Sequence, residues 1–307
     1  MQKARDSLTA LRAMPDFQRA YDNMANYLAT DIVDTRVRLA HELGNSVNEA
    51  EVASDDSNLE RNPNSIAYIT SRLSELEPDN RTVRVVSPYL FVPAYERTDG
   101  TVYHDGAVAL QEWLDRHPDN RIEIITNSVL TSDNFFTQAI IDMDTAPRLL
   151  LDADSEALWR KDLEKGELNP GLVQSDRWRG MIDNPRVRIY ATGRMDSDQL
   201  GGDVAYGKLH AKFFLTDKWG FVGTTNLDYR SRLFNNEMGF FFGGEELRQE
   251  LIAEFESLKA QSYRWGSPEW LELRAAVREL PGLKGRAARK QRSTFARLRN
   301  TGLHWQF

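Results

Sequence analysis

The sequence contains no cysteine among its 307 residues, which excludes disulfide bonds, thiol catalysis and thiolate metal sites. It has no cluster of His, Asp and Glu that would form a metal-ligand set, so we expect neither a metal nor another cofactor. No run approaches the roughly 18 to 20 apolar residues of a membrane-spanning helix, and the residues after Met1 lack the apolar region of a signal peptide. With 41% hydrophobic residues, the chain can bury one sizeable α/β core with peripheral helices.

Charge is distributed unevenly along the chain. The formal net charge is −7, but residues 281–307 contain seven Lys and Arg and no acidic residue, which leaves −14 for the rest. An acidic body disfavours general nucleic-acid binding, which requires a basic surface. The basic end also carries the apolar side chains of Phe295, Leu298, Leu303, Trp305 and Phe307. This composition is typical of a tail on an anionic membrane surface, but a solvated tail, one docked on the protein's acidic face, or a nucleic-acid-binding tail remains an alternative.

One short stretch combines residues that handle phosphodiesters. Its members are His210, Lys212, Asp217, Gly223, Thr224, Asn226 and Glu237. An imidazole can attack phosphorus in its neutral form or protonate a leaving oxygen in its protonated form, and a lysine ammonium with an asparagine amide can hold the phosphoryl oxygens. The apolar pattern predicts a β-hairpin with its turn at 217–220, and His210 and Lys212 then face the same side of a strand. One phosphate can therefore meet both side chains.

This stretch resembles the H-x-K-(x)4-D-(x)6-G-S-x-N signature of the phospholipase D superfamily. Lys212 lies two positions after His210 and five before Asp217. Five residues instead of six separate Asp217 from Gly223, and threonine replaces serine at position 224. A shorter turn accommodates the first difference because its glycine tolerates tight backbone geometry, and threonine retains the hydroxyl.

Two further runs narrow the resemblance. The first is N-L-D-Y-R-S from Asn226 to Ser231, and the second is F-N-N-E-M-G from Phe234 to Gly239. Cardiolipin synthases and related bacterial phosphatidyltransferases carry similar runs, whereas the small nucleases of the superfamily usually do not. The resemblance therefore implies a phosphatidyltransferase that acts on phospholipid phosphodiesters through a phosphohistidine intermediate, without a metal.

The resemblance also implies roles for individual residues. His210 is expected to act as acid and base, Lys212 and Asn226 to hold phosphoryl oxygens, and Glu237 to orient an imidazole. Asp217 is expected to be mainly structural. The expected substrate-binding residues are Thr224, Asp228, Arg230 and Ser231. The simpler alternatives are a surface ion pair between Asp228 and Arg230 and a solvated strand-edge charge at Glu237.

The upstream sequence predicts the scaffold. Strands at 83–89 and 121–128 flank a helix at 106–116, which makes a β-α-β unit, and Val187–Tyr190 is a third strand. We expect an α/β fold, a phospholipase D-like half-domain with a mixed β-sheet flanked by helices (α/β/α). The expected domains are a helical inter-repeat-like segment with a polar loop at 1–65, the catalytic half at 66–265 and a basic tail at 266–307. Within the first of these, a mostly helical pattern covers residues 16–43.

The chain has only one His-x-Lys pair, because none of its other four histidines is followed by lysine at the second position. Enzymes of this superfamily use two such motifs, so the expected partner is a second half. That half lies either in cis, in a longer chain that continues before Met1, or in trans, in a homodimer. The first is favoured, because the motif most resembles the second repeat, the C-terminal half, of the two-motif phosphatidyltransferases. A homodimeric phosphodiesterase or nuclease and a catalytically idle binding or assembly module are the alternative functions. Phospholipid is the expected substrate, and a peripheral position on an anionic membrane is the expected location.

Overall fold

The protein is described by a computed structural model over residues 37–42, 64–76, 81–96, 101–161, 168–194 and 208–303. The described residues from Arg38 onward belong to one structural unit. Of the other unit, Met1–Val37, only Val37 falls within the described ranges.

A mixed β-sheet forms the centre of this unit. The described strands are β1 Val37–His41, β2 Thr82–Val86, β3 Ala94–Glu96, β4 Val102–Asp105, β5 Arg121–Thr126, β6 Val187–Thr192, β7 Phe213–Leu215, β8 Gly220–Gly223, β9 Met238–Phe242 and β10 Ser262–Arg264. Eight of them form one sheet in the order β1-β9-β8-β7-β2-β5-β6-β10, while β3 and β4 pair separately. Strands β2, β5 and β6 are parallel, and β7, β8, β9 and β10 each pair antiparallel with a neighbour.

Helices cover both faces of the sheet. They are α1 Ile66–Leu76, α2 Gly106–Arg116, α3 Phe135–Ile140, α4 Ala146–Leu150, α5 Ala153–Arg160, α6 Pro170–Val173, α7 Asp176–Ile182, α8 Tyr229–Leu233, α9 Glu245–Ala260, α10 Pro268–Glu279 and α11 Gly282–Asn300, with a π-helical turn Ile141–Thr145 that joins α3 to α4. Alternate strand residues point to opposite faces. Thus Val85 belongs to the large core beneath α10 and α11, whereas its neighbour Val86 packs with Phe255 of α9.

The predicted fold class is confirmed. The β-α-β unit is β2-α2-β5, in which Val85 pairs with Ile124 in parallel register. The third predicted strand is β6, and the predicted hairpin is formed by β7 and β8 with its turn at 216–219. Asp105 caps α2 because its carboxylate accepts the amide N–H groups of Ala107 and Val108.

The N-terminal prediction is wrong where the structure describes it. Residues 37–41 form the edge strand β1 instead of continuing a helix. Their alternating sequence V-R-L-A-H fits a strand with Ala40 buried beside α1. The edge of β9 provides hydrogen-bond partners for backbone groups of this segment, since the Glu42 N–H donates to the Glu237 carbonyl at 2.8 Å. The rest of the expected helical pattern, residues 16–36 and 43, lies outside the described residues.

The residues expected to form a basic tail are helical and docked on the domain where the structure describes them. Residues 268–279 and 282–300 are the helices α10 and α11, and Phe295 and Leu298 are buried in the large core. A buried carboxylate, Asp142 in the π-helical turn, fastens these helices to the domain. It accepts hydrogen bonds from Gln291 at 2.6 Å and from Arg274 at 3.4 Å. Trp305 and Phe307 lie outside the described residues.

None of the described helices combines the length and apolar character needed to cross a membrane.

Candidate active site

The candidate site lies at one edge of the sheet, where β2, β5 and β8 end and β7 and β9 begin. Asn127, in the loop after β5, ties three segments together at this edge. Its side-chain amide donates to the Pro88 carbonyl at 3.1 Å and to the Leu209 carbonyl at 3.2 Å. Because Leu209 is buried directly before His210, this link holds the main chain at the start of the His210 segment.

His210 and Lys212 are adjacent in space, as their spacing predicts. The Lys212 ammonium lies 2.9 Å from the His210 Nδ1 atom and donates to the His210 carbonyl at 2.7 Å. An ammonium is only a donor, so Nδ1 is the acceptor and we assign the proton of the neutral imidazole to Nε2. His210 is exposed, whereas Lys212 is buried. The exposed ring therefore presents an Nε2–H group to solvent.

Lys212 is surrounded by carboxylates. Burial lowers the pKa of the Lys212 amine below its ordinary value, and the negative charges of Glu237, Asp133 and Asp228 partly oppose this shift. Three acidic groups from separate segments of the chain therefore lie within electrostatic reach of the single buried lysine. The arrangement keeps a cation where a phosphoryl group would meet His210.

Glu237 is a buried carboxylate with two side-chain donors. The Thr224 hydroxyl donates to its Oε2 atom, and the Asn235 amide donates to its Oε1 atom at 3.1 Å. Within the described residues, Glu237 makes no hydrogen bond to His210. Glu237 is therefore not a solvated strand-edge charge. Its described contacts do not include the His210 imidazole, so they do not identify the imidazole that Glu237 is expected to orient.

The loop after β8 is shaped by Gly223. A Cβ atom at this position would lie 2.6 Å from both the Phe221 ring and the Met238 carbonyl oxygen, so only glycine fits. The loop then brings Asn226 to the site, where its N–H donates to the Ser231 hydroxyl at 3.2 Å. The side-chain oxygen of Asn226 is buried and has no partner among the described residues. Such an atom marks a place where a ligand or a partner is expected to contribute.

Two residues that were expected to bind substrate, Asp228 and Ser231, are buried and support the loop. The Asp228 carboxylate is buried, which raises its pKa, and it caps α8 by accepting the Ser231 N–H at 2.6 Å. Ser231 is completely buried, with 0% exposure, so its hydroxyl cannot touch substrate in this conformation. Arg230 is exposed in the first turn of α8 and Thr224 is exposed at the loop, which leaves both of them accessible.

Asp217 lies at the far end of β7 from His210. Its carboxylate accepts the Thr82 N–H at 3.3 Å and the Arg84 guanidinium at 3.4 Å. Its main-chain carbonyl accepts a hydrogen bond from Arg248 of α9. These contacts brace the hairpin against β2, and they give Asp217 the structural role that we expected.

The sequence analysis missed Tyr89 and Asp133. The Tyr89 hydroxyl donates to Asp133 at 2.8 Å, and burial together with the Asp133 carboxylate raises the pKa of the phenol. Both residues follow parallel strands, β2 and β5, whose carboxyl ends meet at the same edge. The sequence signal was the position of Tyr89 at the end of the first predicted strand and of Asp133 in the polar segment after the second.

No group of three or more His, Asp or Glu side chains within the described ranges is arranged to hold a metal ion.

Comparison with known proteins finds one matching family model. Residues 116–259 match the family model described as cardiolipin synthase, PLD-like domain. This span includes His210, Lys212 and Glu237. The match confirms, for this span, the resemblance seen in the sequence. No protein with a curated description matches the chain.

Several solved structures are similar to the chain. The phospholipase D family member Nuc from Salmonella typhimurium has 10% identity, covers 76% of this chain and 100% of its own, and gives a TM-score of 0.37. NucT from Helicobacter pylori has 13% identity, with coverage of 75% and 98% and a TM-score of 0.38. Phosphatidylserine synthase from Haemophilus influenzae has 15% identity and a TM-score of 0.44, and the match covers 87% of this chain but 46% of that enzyme.

Proposed function

We propose that the protein is a phospholipase D-type phosphatidyltransferase, similar to cardiolipin synthase, that acts on phospholipid phosphodiesters as one half of a two-half site. The single observation that carries this proposal is the His210–Lys212 pair at the sheet edge, 2.9 Å apart. The pair lies within the span that matches the cardiolipin synthase, PLD-like family model. The downstream N-L-D-Y-R-S and F-N-N-E-M-G runs support a lipid substrate over a nucleic acid, because they resemble the phosphatidyltransferases.

The reaction proceeds in two displacements at phosphorus. In the first, an imidazole of the second half forms an N–P bond while the bond from phosphorus to the leaving alkoxide breaks, and His210 in its protonated imidazolium form gives its Nε2 proton to that oxygen and becomes neutral. In the second, an acceptor alcohol or water gives its proton back to His210, its oxygen bonds to phosphorus and the P–N bond breaks. Lys212 and Asn226 stabilise the phosphoryl oxygens as charge accumulates in both transition states.

The second half is needed because one imidazole cannot occupy both sides of the same phosphorus. Glu237 supports this requirement, since its carboxylate is held by Thr224 and Asn235 and has no bond to His210. We assign Glu237 to the imidazole of the second half, whose tautomer it would fix for attack. A carboxylate has about four acceptor positions, so the two existing bonds leave room for that imidazole.

The test is an assay of His210→Ala on phosphatidylglycerol micelles and on single-stranded DNA, with His117→Ala as the matched control. His117 is the residue that ends α2, far along the chain from the site. We expect lipid turnover in fractions that contain two halves, a loss of about 10²- to 10⁴-fold in His210→Ala, and no loss in the control. An acid-labile phosphoryl adduct on protein quenched during turnover is the expected intermediate. Near-normal turnover by His210→Ala would refute the assignment, and cleavage of DNA without lipid turnover would favour the nuclease alternative.

A further inference from the structure

A tyrosine and an aspartate form a hydrogen-bonded pair beside His210 and Lys212, and the two-displacement reaction uses neither of them. The Tyr89 hydroxyl donates to the Asp133 Oδ1 atom at 2.8 Å. Tyr89 follows β2 and Asp133 follows β5, and because these strands are parallel, both residues lie at the sheet edge that carries the candidate site. We call these two residues the Tyr–Asp pair.

The main chain on both sides of Tyr89 is held by neighbouring segments. The Asn127 side-chain amide donates to the carbonyl of Pro88 at 3.1 Å. On the other side, the Phe91 N–H donates to the Leu227 carbonyl at 2.7 Å. Tyr89 therefore lies in a segment fixed between the loops that follow β5 and β8.

The Asp133 carboxylate has no structural contact other than the one with Tyr89. The helix that begins after it, α3, is capped by Asn134, whose side chain accepts the Phe136 and Thr137 N–H groups. Asp133 is exposed, and among the described residues it forms no ion pair. A carboxylate has about four acceptor positions, and Tyr89 occupies one of them. The other positions are open to donors from a bound molecule.

The charges around the Tyr–Asp pair favour a neutral ligand with hydroxyl groups. The Tyr89 phenol lies within electrostatic reach of two carboxylates, Asp133 and Asp228. Two cations balance them, since Arg230 acts on the phenol and Lys212 lies within reach of Asp133. The carboxylates disfavour a second phosphate at this place, and the cations disfavour an ammonium group. An uncharged hydroxyl can donate to the carboxylate without either cost.

We propose that the Tyr–Asp pair binds the alcohol of the reaction and selects a polyol over an alcohol with a single hydroxyl. One hydroxyl oxygen of the polyol is the oxygen that exchanges a proton with His210, and a second hydroxyl donates to Asp133. Because His210 serves the leaving and the accepting oxygen in turn, one alcohol site serves both steps. This inference rests on the proposed function, since it names the alcohol that the phosphoryl group leaves or joins.

The first experiment measures binding without turnover, by isothermal titration calorimetry of the full chain with glycerol 1-phosphate and with inorganic phosphate. Both probes offer a phosphate to Lys212, but only the first carries hydroxyl groups for the Tyr–Asp pair. We expect the wild type to bind glycerol 1-phosphate about 10- to 100-fold more tightly than phosphate, as hydrogen bonds to a charged group allow. Tyr89→Phe and Asp133→Asn should bind the two probes with similar affinity. The matched control is Asp176→Asn, which removes a carboxylate that is 95% exposed on α7 and should keep the wild-type ratio.

The second experiment measures the choice of acceptor in fractions that contain two halves. Phosphatidylglycerol micelles are supplied with deuterated glycerol and 1-propanol at equal concentration, and mass spectrometry compares the two transfer products. We expect glycerol to be preferred about 10- to 100-fold in the wild type and in Asp176→Asn. The preference should disappear in Tyr89→Phe and in Asp133→Asn.

Each alternative outcome has a definite meaning. A wild type that binds both probes equally, or pair variants that retain the preference for glycerol 1-phosphate, would overturn the proposal. Variants with a lower melting temperature that bind both probes more weakly at an unchanged ratio would overturn it in favour of a structural role. Lipid turnover without any preference for glycerol would overturn the alcohol site and leave the proposed function intact. A preference in binding without lipid turnover by two-half fractions would retain the site and refute the proposed function instead.

Discussion

The Lys212 amine gives the sharpest test of the candidate site, because its pKa determines one side of the pH profile. Burial lowers this pKa below the ordinary lysine value. Lysine acts on phosphoryl oxygens only as an ammonium, so activity should fall as the pH rises through the lowered pKa. We therefore expect the alkaline limb of the pH profile, where kcat/KM falls, to lie below pH 10.5, the ordinary pKa of a lysine amine.

Two substitutions separate charge from size at this position. Lys212→Met keeps most of the side-chain length but removes the donor that lies 2.9 Å from His210 Nδ1 and the charge that faces the phosphoryl group. Loss of one such donor typically lowers kcat by about 10²- to 10³-fold, which corresponds to roughly 2.7 to 4 kcal/mol. Lys212→Arg keeps a charge that does not titrate below about pH 12, so its residual activity should lack the alkaline limb.

The assay is lipid turnover from pH 6 to pH 11, on fractions of the wild type and both variants that contain two halves, in buffers of constant ionic strength. Thermal unfolding at each pH separates loss of activity from loss of folded protein. An alkaline limb that is unchanged in Lys212→Arg would refute the assignment of this limb to Lys212. Turnover by Lys212→Met within about tenfold of the wild type would show that the buried ammonium does not hold the phosphoryl group.

Three further predictions address the scaffold and the chemistry. Gly223→Ala should lower the free energy of unfolding by about 1 to 3 kcal/mol, because its Cβ would lie 2.6 Å from the Phe221 ring. The control Gly243→Ala has open space around its Cβ and should melt like the wild type. Equal melting temperatures for the two variants would contradict this reasoning. Asp142→Ala should lower the free energy of unfolding in urea by about 3 to 5 kcal/mol, because it leaves the buried Arg274 guanidinium without its carboxylate. A loss below about 1 kcal/mol would show that other groups compensate. Lipid turnover should survive EDTA, and its complete loss with recovery on adding a divalent ion would mean that the reaction needs a metal.

The part of the fold that the sequence predicted is the part specified by local patterns. The hairpin of β7 and β8 is encoded by two apolar runs and a polar turn, and β2-α2-β5 is encoded by a change from strand to helix periodicity and back. The His210–Lys212 pair follows from the same logic, since two residues on one strand face must be neighbours. These features need no information about distant segments.

The features that escaped prediction depend on contacts between distant segments. Residues 37–41 are a strand because the edge of β9, about 200 residues later, offers backbone partners. Asp133 reaches Lys212 only because β2 and β5 end at the same edge of the sheet. Ser231 appeared available to substrate, yet the turn that Asp228 caps buries it completely. In each case a local pattern allowed two conformations, and tertiary packing selected one.

The C-terminal helix α11 shows why membrane binding cannot be decided from composition alone. Three of the seven basic residues counted in the sequence donate to main-chain carbonyls of the domain: Lys284 to Leu130, Arg289 to Arg278 and Arg292 to Trp159. The apolar side of the helix is likewise committed, because Phe295 and Leu298 are buried in the core. An isolated peptide of this region would expose all of these groups and would bind anionic lipid more strongly than the folded protein. Membrane association therefore has to be measured on the intact chain, where α11 is a docked helix.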